Sequence, residues 1–113
     1  MMIQLLDKSQ ILARAKLKWN EKTRDERIRA GSKYKHFVSK YHLPTSDWID
    51  DFDMLTKSQQ NIIVKGELIR YYDSLQNKVK TQIMREFNLS AFASKWYKLQ
   101  SDDKRKLLNH IIE

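Results

Sequence analysis

Cysteine is absent from this 113-residue chain, glycine occurs twice and proline once. Without cysteine there is no disulfide, no thiolate metal site and no thiol nucleophile. Two glycines and one proline are too few for a β-rich fold, whose hairpins depend on turn residues. No apolar run approaches the roughly 20 residues that a bilayer-spanning helix needs. The opening Met1-Met2-Ile3-Gln4-Leu5-Leu6 reaches Asp7 too soon to form the core of a secretory signal. A soluble cytoplasmic protein is the expectation, with a nucleoid or a nucleus as the other intracellular settings. Compact catalytic signatures are missing as well. There is no His-Glu-x-x-His, no glycine-rich phosphate loop and no Gly-x-Ser-x-Gly elbow, and His36, His42 and His110 are scattered. Neither an enzyme nor a bound cofactor is expected.

What remains is helix-forming and basic. Hydrophobic residues make up 41% of the chain and aromatics 11%, enough to bury one core and too much for a disordered segment. The net charge is +8 and lies almost wholly at one end. Residues 1–40 carry eleven Lys and Arg against Asp7, Glu21, Asp25 and Glu26, whereas residues 41–113 are nearly neutral. A one-sided basic segment is the electrostatic footprint of polyanion binding.

The hydrophobic spacing predicts an all-α, single compact bundle of about five or six helices. It forms one domain over 1–113, with residues 1–31 as a basic N-terminal helix free to project and 32–113 as the helical core. Asp7 or Ser9 caps the first helix, which runs to about Arg29 with Ile11, Leu12, Ala15 and Trp19 on its buried stripe. Gly31-Ser32 is read as its stop. A short helix follows over 32–41 with Tyr34, Phe37, Val38 and Tyr41 inward, ending before Pro44. Thr45 or Ser46 then caps a helix carrying Trp48, Ile49, Phe52 and Leu55. Thr56 or Ser58 caps a long one to about Asn77, burying Ile62, Ile63, Leu68, Ile69, Tyr72 and Leu75. Further helices are expected over 79–87, over 91–99 and from Ser101 to the end, the last with Leu107, Leu108, Ile111 and Ile112 inward. There is a faint internal echo between Phe37-Val38…Phe52-x-x-Leu55 and Ile83-Met84…Trp96-x-x-Leu99.

The residues expected to meet a partner are Arg14, Lys16, Lys18, Lys22, Arg24, Arg27, Arg29, Lys33 and Lys35. Arg14, Lys18 and Lys22 recur every fourth residue and so lie along one flank of a helix. Each cation that meets a phosphate releases a condensed counterion, which drives binding without reading sequence. Local pairs such as Asp25–Arg29 are too weak to cancel this charge. Nucleic acid, DNA ahead of RNA, is therefore the leading partner. An acidic protein surface is the alternative: a small inhibitor or adaptor, of the kind mobile elements encode, would dock on a host enzyme or nucleoprotein through the same helix. A helical subunit that oligomerises is a third reading.

Residues 81–96 resemble a helix-turn-helix segment, over 16 of the 113 positions. Ile83 and Met84 stand where the first helix has its inward aliphatics, Asn88-Leu89-Ser90 forms the turn, and Ser90 caps the second helix. Ser94 departs from the pattern where a β-branched residue usually faces inward, so Phe92 and Trp96 would supply the packing. The resemblance implies a recognition helix presenting Ser90, Ala91, Ser94, Lys95 and Lys98 to the major groove. Trp96-x-x-Leu99 followed by Ser101-Asp102-Asp103-Lys104-Arg105-Lys106 also looks like the middle of an HMG box, without the rest of it. The acidic run Asp47-Trp48-Ile49-Asp50-Asp51-Phe52-Asp53 lacks the alternating ligands and glycine of a calcium loop. Acids in a first helical turn account for it without a metal.

Overall fold

In the computed structural model the described residues are 6–40 and 48–112, the side chains of 35–40 excepted. They form five α-helices: α1 (Lys8–Glu21), α2 (Arg24–Lys40), α3 (Lys57–Ser74), α4 (Asn77–Glu86) and α5 (Ser101–Ile112). Two single turns of 3-10 helix, Phe52–Met54 and Trp96–Lys98, lead into α3 and α5. No strand occurs among the described residues, and none of their helices is long and apolar enough to cross a membrane.

The central element is α3, which packs on α1, on α5 and on the second 3-10 turn. Its start is a capping box: the Thr56 hydroxyl accepts from the Gln59 N–H, and the Gln59 side chain accepts from the Thr56 N–H. From there it buries Ile63, Val64, Leu68 and Tyr72. Leu6, Ile11, Ala15 and Trp19 from the N-terminal side meet Ile83, Leu107 and Ile111 in the same core. The first helix thus does not project. It lies on α3 and α5, and only Leu12 of its expected stripe turns outward.

That first helix is also shorter than the sequence suggested. It ends at Glu21, Lys22 is extended, and a new helix begins at Arg24. The cause is a second capping box. The Thr23 hydroxyl accepts from the Glu26 N–H at 3.2 Å, while Glu26 Oε1 accepts from the Thr23 N–H at 3.0 Å. Thr23→Ala should lower the unfolding free energy by about 1 kcal/mol in urea denaturation, the usual cost of losing such a cap. No change would mean that the break is set elsewhere.

Gly31-Ser32 is not a stop. α2 runs through it to Lys40, joining the expected short helix to the basic segment. Gly31 is buried against Trp48, so close that a Cβ there would lie 2.5 Å from both Cβ and Cγ of that residue. The glycine therefore serves a close approach between two elements. Tyr41, Pro44 and the caps Thr45 and Ser46 fall outside the described residues, as do the side chains of Phe37 and Val38.

The two remaining differences share one physical reason. Trp48, Ile49, Phe52 and Leu55 were expected on one helix, but only the 3-10 turn Phe52–Met54 forms. The Trp19 indole donates to the Asp50 carbonyl, Arg27 to the Ile49 carbonyl, and the Asn20 carboxamide accepts from the Phe52 N–H, each at 2.9 Å. Residues 91–99 were likewise expected as a helix and instead form irregular chain with the turn Trp96–Lys98. Here the Tyr72 hydroxyl donates to the Ala93 carbonyl and the Lys80 ammonium to that of Ser94. Asp73 accepts from the Trp96 N–H, and Asp103 takes both the N–H and the hydroxyl of Ser90. In both segments, side chains from other helices occupy the backbone groups that an intrahelical ladder would use. The internal echo survives in one respect: each aromatic-x-x-Leu is a 3-10 turn closed by a bond from the leucine N–H to the aromatic carbonyl.

Candidate anion-binding cleft

The nine basic residues expected at a binding surface are divided by the fold. Three are tied within the protein. Lys16 pairs with Asp53 at 2.7 Å, and Lys18 bonds both oxygens of Glu67 at 2.8 and 2.9 Å. Arg27, only 11% exposed, pairs with Asp51 and donates to the carbonyls of Ile49 and Asn20. Arg14 lies over the Tyr71 ring, 5.1 Å from its centroid. The Lys35 side chain is outside the described residues, and Arg24 is exposed at the start of α2.

The other three meet. The break at Thr23 redirects the chain into α2, and Lys22, Arg29 and Lys33 then line a cleft of about 260 Å³ between α1, α2 and α3. Arg70 of α3 completes it, a residue that nothing in the local sequence singled out. Trp19, Tyr34 and Ile63 contribute apolar wall. None of the side chains of Lys22, Arg29, Lys33 and Arg70 is in an ion pair or hydrogen bond among the described residues. The cleft's two acids are already engaged. Glu67, 3% exposed, is neutralised by Lys18. Glu26 is held by the Thr23 cap, whose backbone N–H is the main cause lowering its carboxyl below the ordinary value, with Lys22 and Arg29 adding to the effect. It therefore stays ionised and committed to the helix start. The result is a concave site with four cations around it that form no ion pair among the described residues, suited to an anion that offers several negative oxygens.

No family model, curated protein or solved structure matches this chain. What bears on function is the chain's own geometry.

The expected recognition helix is corrected by that geometry. Residues 90–95 are not helical, so Ser90, Ala91, Ser94, Lys95 and Lys98 do not share a helix face. Ser90 is bonded to Asp103, and the Ser94 carbonyl is held by Lys80, whereas Ala91, Lys95 and Lys98 are exposed. The turn before them does form: Asn88 adopts a left-handed conformation at φ 53°, and the Leu89 N–H donates back to the Met84 carbonyl. Of the acidic run, Asp47 lies outside the described residues. Asp51 and Asp53 pair with Arg27 and Lys16, which explains them better than a helix dipole in a segment that is not an α-helix. Among the described residues, no three His, Asp or Glu side chains are grouped to hold a metal. His110 bonds the Leu6 carbonyl and packs on Phe87.

Proposed function

We propose that this protein is a non-enzymatic nucleic-acid-binding protein that anchors phosphates in the cleft between α1, α2 and α3. The observation carrying this reading is the convergence of Lys22, Arg29, Lys33 and Arg70 on a cleft whose acids are already engaged. Lysine supplies a compact point charge, and the arginine guanidinium can fork onto two phosphate oxygens. A nucleic-acid backbone presents phosphates in series, so several cations can engage it at once. An intracellular setting goes with this reading.

The test is binding of the purified protein to random-sequence duplex DNA, single-stranded DNA and RNA across a salt series. Log affinity should fall linearly with log salt, by about 0.7 to 0.9 per phosphate neutralised. Arg29→Ala and Arg70→Ala should each flatten that slope by roughly one such increment. Lys16→Ala should leave it unchanged, because its ammonium is paired with Asp53. No binding at low salt would overturn the proposal and turn the same cations toward an acidic protein surface.

A further inference from the structure

We infer that the loop between α4 and α5 is a base-stacking platform, and that the nucleic acid this protein takes is single-stranded. This inference rests on the phosphate-binding reading of the cleft. Its own observation is a pair of aromatic rings that the fold leaves outside. Phe92 is 43% exposed and Tyr97 72%, although Trp96 and Leu99 beside Tyr97 are buried. They are the two aromatic rings among the exposed large hydrophobics of the described residues.

Their attachment points are fixed by bonds from other helices. Phe92 lies between Ser90, held by Asp103, and Ala93, whose carbonyl takes the Tyr72 hydroxyl. Tyr97 sits in the 3-10 turn whose first residue, Trp96, has its N–H bonded to Asp73 and its ring packed edge-on against Tyr72. A ligand that stacks on these rings need not order the loop as well, which removes one of the usual costs of binding.

The charge around the rings suits a phosphodiester strand. From Phe87 to Gln100 the sequence has no acid and two lysines, Lys95 and Lys98. Both are exposed, and the Lys98 ammonium lies 5.9 Å from the centre of the Tyr97 ring. Asp73 and Asp103 are committed to groups of the loop itself, and Asp102 lies 3.8 Å from Arg105. Aromatic rings interleaved with lysines are what unpaired bases and their phosphates require together. A duplex keeps its bases stacked inside and offers such rings nothing to stack on.

Position links the loop to the cleft. Arg70 lines the cleft, and Asp73, three residues further along α3, holds the Trp96 N–H. Residues three apart lie on the same helix face. The cleft and the loop are thus attached to α3 at positions one turn apart.

The test compares Phe92→Ala/Tyr97→Ala with wild type on oligothymidine, oligouridine and a random-sequence duplex. Single-strand affinity should fall roughly tenfold for each ring removed. Duplex affinity and both salt slopes should stay as in wild type. Tyr97→Phe, which keeps the ring, should bind the single strands as wild type does. The ratio of oligothymidine to oligouridine affinity separates a DNA strand from an RNA strand. Equal losses on strand and duplex, or no loss on the strands, would overturn the stacking inference while leaving the cleft reading in place. A wild-type protein that binds no nucleic acid at low salt would overturn both.

Discussion

Asp103→Ala should lower the unfolding free energy by about 3 kcal/mol, the amount expected when a carboxylate that accepts several hydrogen bonds is removed. For a domain of this size that is a drop on the order of 10 to 20 °C in melting temperature. Asp103 is on the first turn of α5 and 1% exposed. It holds the N–H of Ser90 at 2.9 Å and the Ser90 hydroxyl at 2.8 Å. Burial alone would push its carboxyl up, but the Ser90 N–H, the Ser90 hydroxyl and the Ala91 N–H outweigh burial, and Lys106 adds its charge. The carboxyl therefore titrates below its ordinary value. A group with a depressed folded-state pKa contributes stability above its unfolded pKa and loses it as pH falls through the folded value. The difference in stability between wild type and Asp103→Ala should accordingly be widest above about pH 4, and should narrow at lower pH. Urea melts at neutral and acid pH measure both quantities. A gap that did not change with pH would assign the effect to lost packing.

Gly31→Ala should destabilise the protein by about 2 kcal/mol, which reverses the usual sign. Inside a helix this replacement ordinarily stabilises by up to about 1 kcal/mol. Here the added methyl meets two rigid atoms of Trp48 at 2.5 Å. Trp48 is buried, with its ring edge-on to Trp19 and tilted against Tyr34 at 5.4 Å, so it has no room to withdraw. Overpacking of this kind costs about 1 to 3 kcal/mol. Gly66→Ala is the internal control. Its methyl would meet only the Tyr34 hydroxyl, at 3.3 Å, the far end of a side chain that can move. That variant should stay within about 1 kcal/mol of wild type. If thermal melts found both variants equally stable, the close approach of α2 to Trp48 would not be a constraint on the fold.

The all-helical class and the position of α3 could be read from the sequence because their causes are local. Thr56-x-x-Gln59 announces a helix start, and Ile63, Leu68 and Tyr72 repeat at helical spacing behind it. Thr23-x-x-Glu26 is the same signature, but it lies inside a charged run where the hydrophobic stripe had already thinned, and a continuous charged helix hid it. The irregular segments were illegible for a different reason. Ser90 and Asp103 are 13 residues apart, Asn20 and Phe52 are 32 apart, and bonds of that reach leave no periodic trace. Local preference favoured a helix over 91–99, and tertiary bonds overrode it. The candidate site was half legible. Lys22, Arg29 and Lys33 were visible as charge, but their convergence needed the turn at Thr23, and Arg70 needed the packing of α3 on α1.

The side-chain anchors on residues 90–96 have a consequence for how this segment opens. Its amide protons are not part of a ladder that can fray one rung at a time. Ser90 is released only when α5 moves, and Trp96 only when α3 does. Local opening is favoured where few contacts must break, and here it requires separating whole helices. The Trp96 amide should therefore exchange with solvent deuterium about as slowly as the helix core, and proteases should cut this coil-like stretch only after global unfolding.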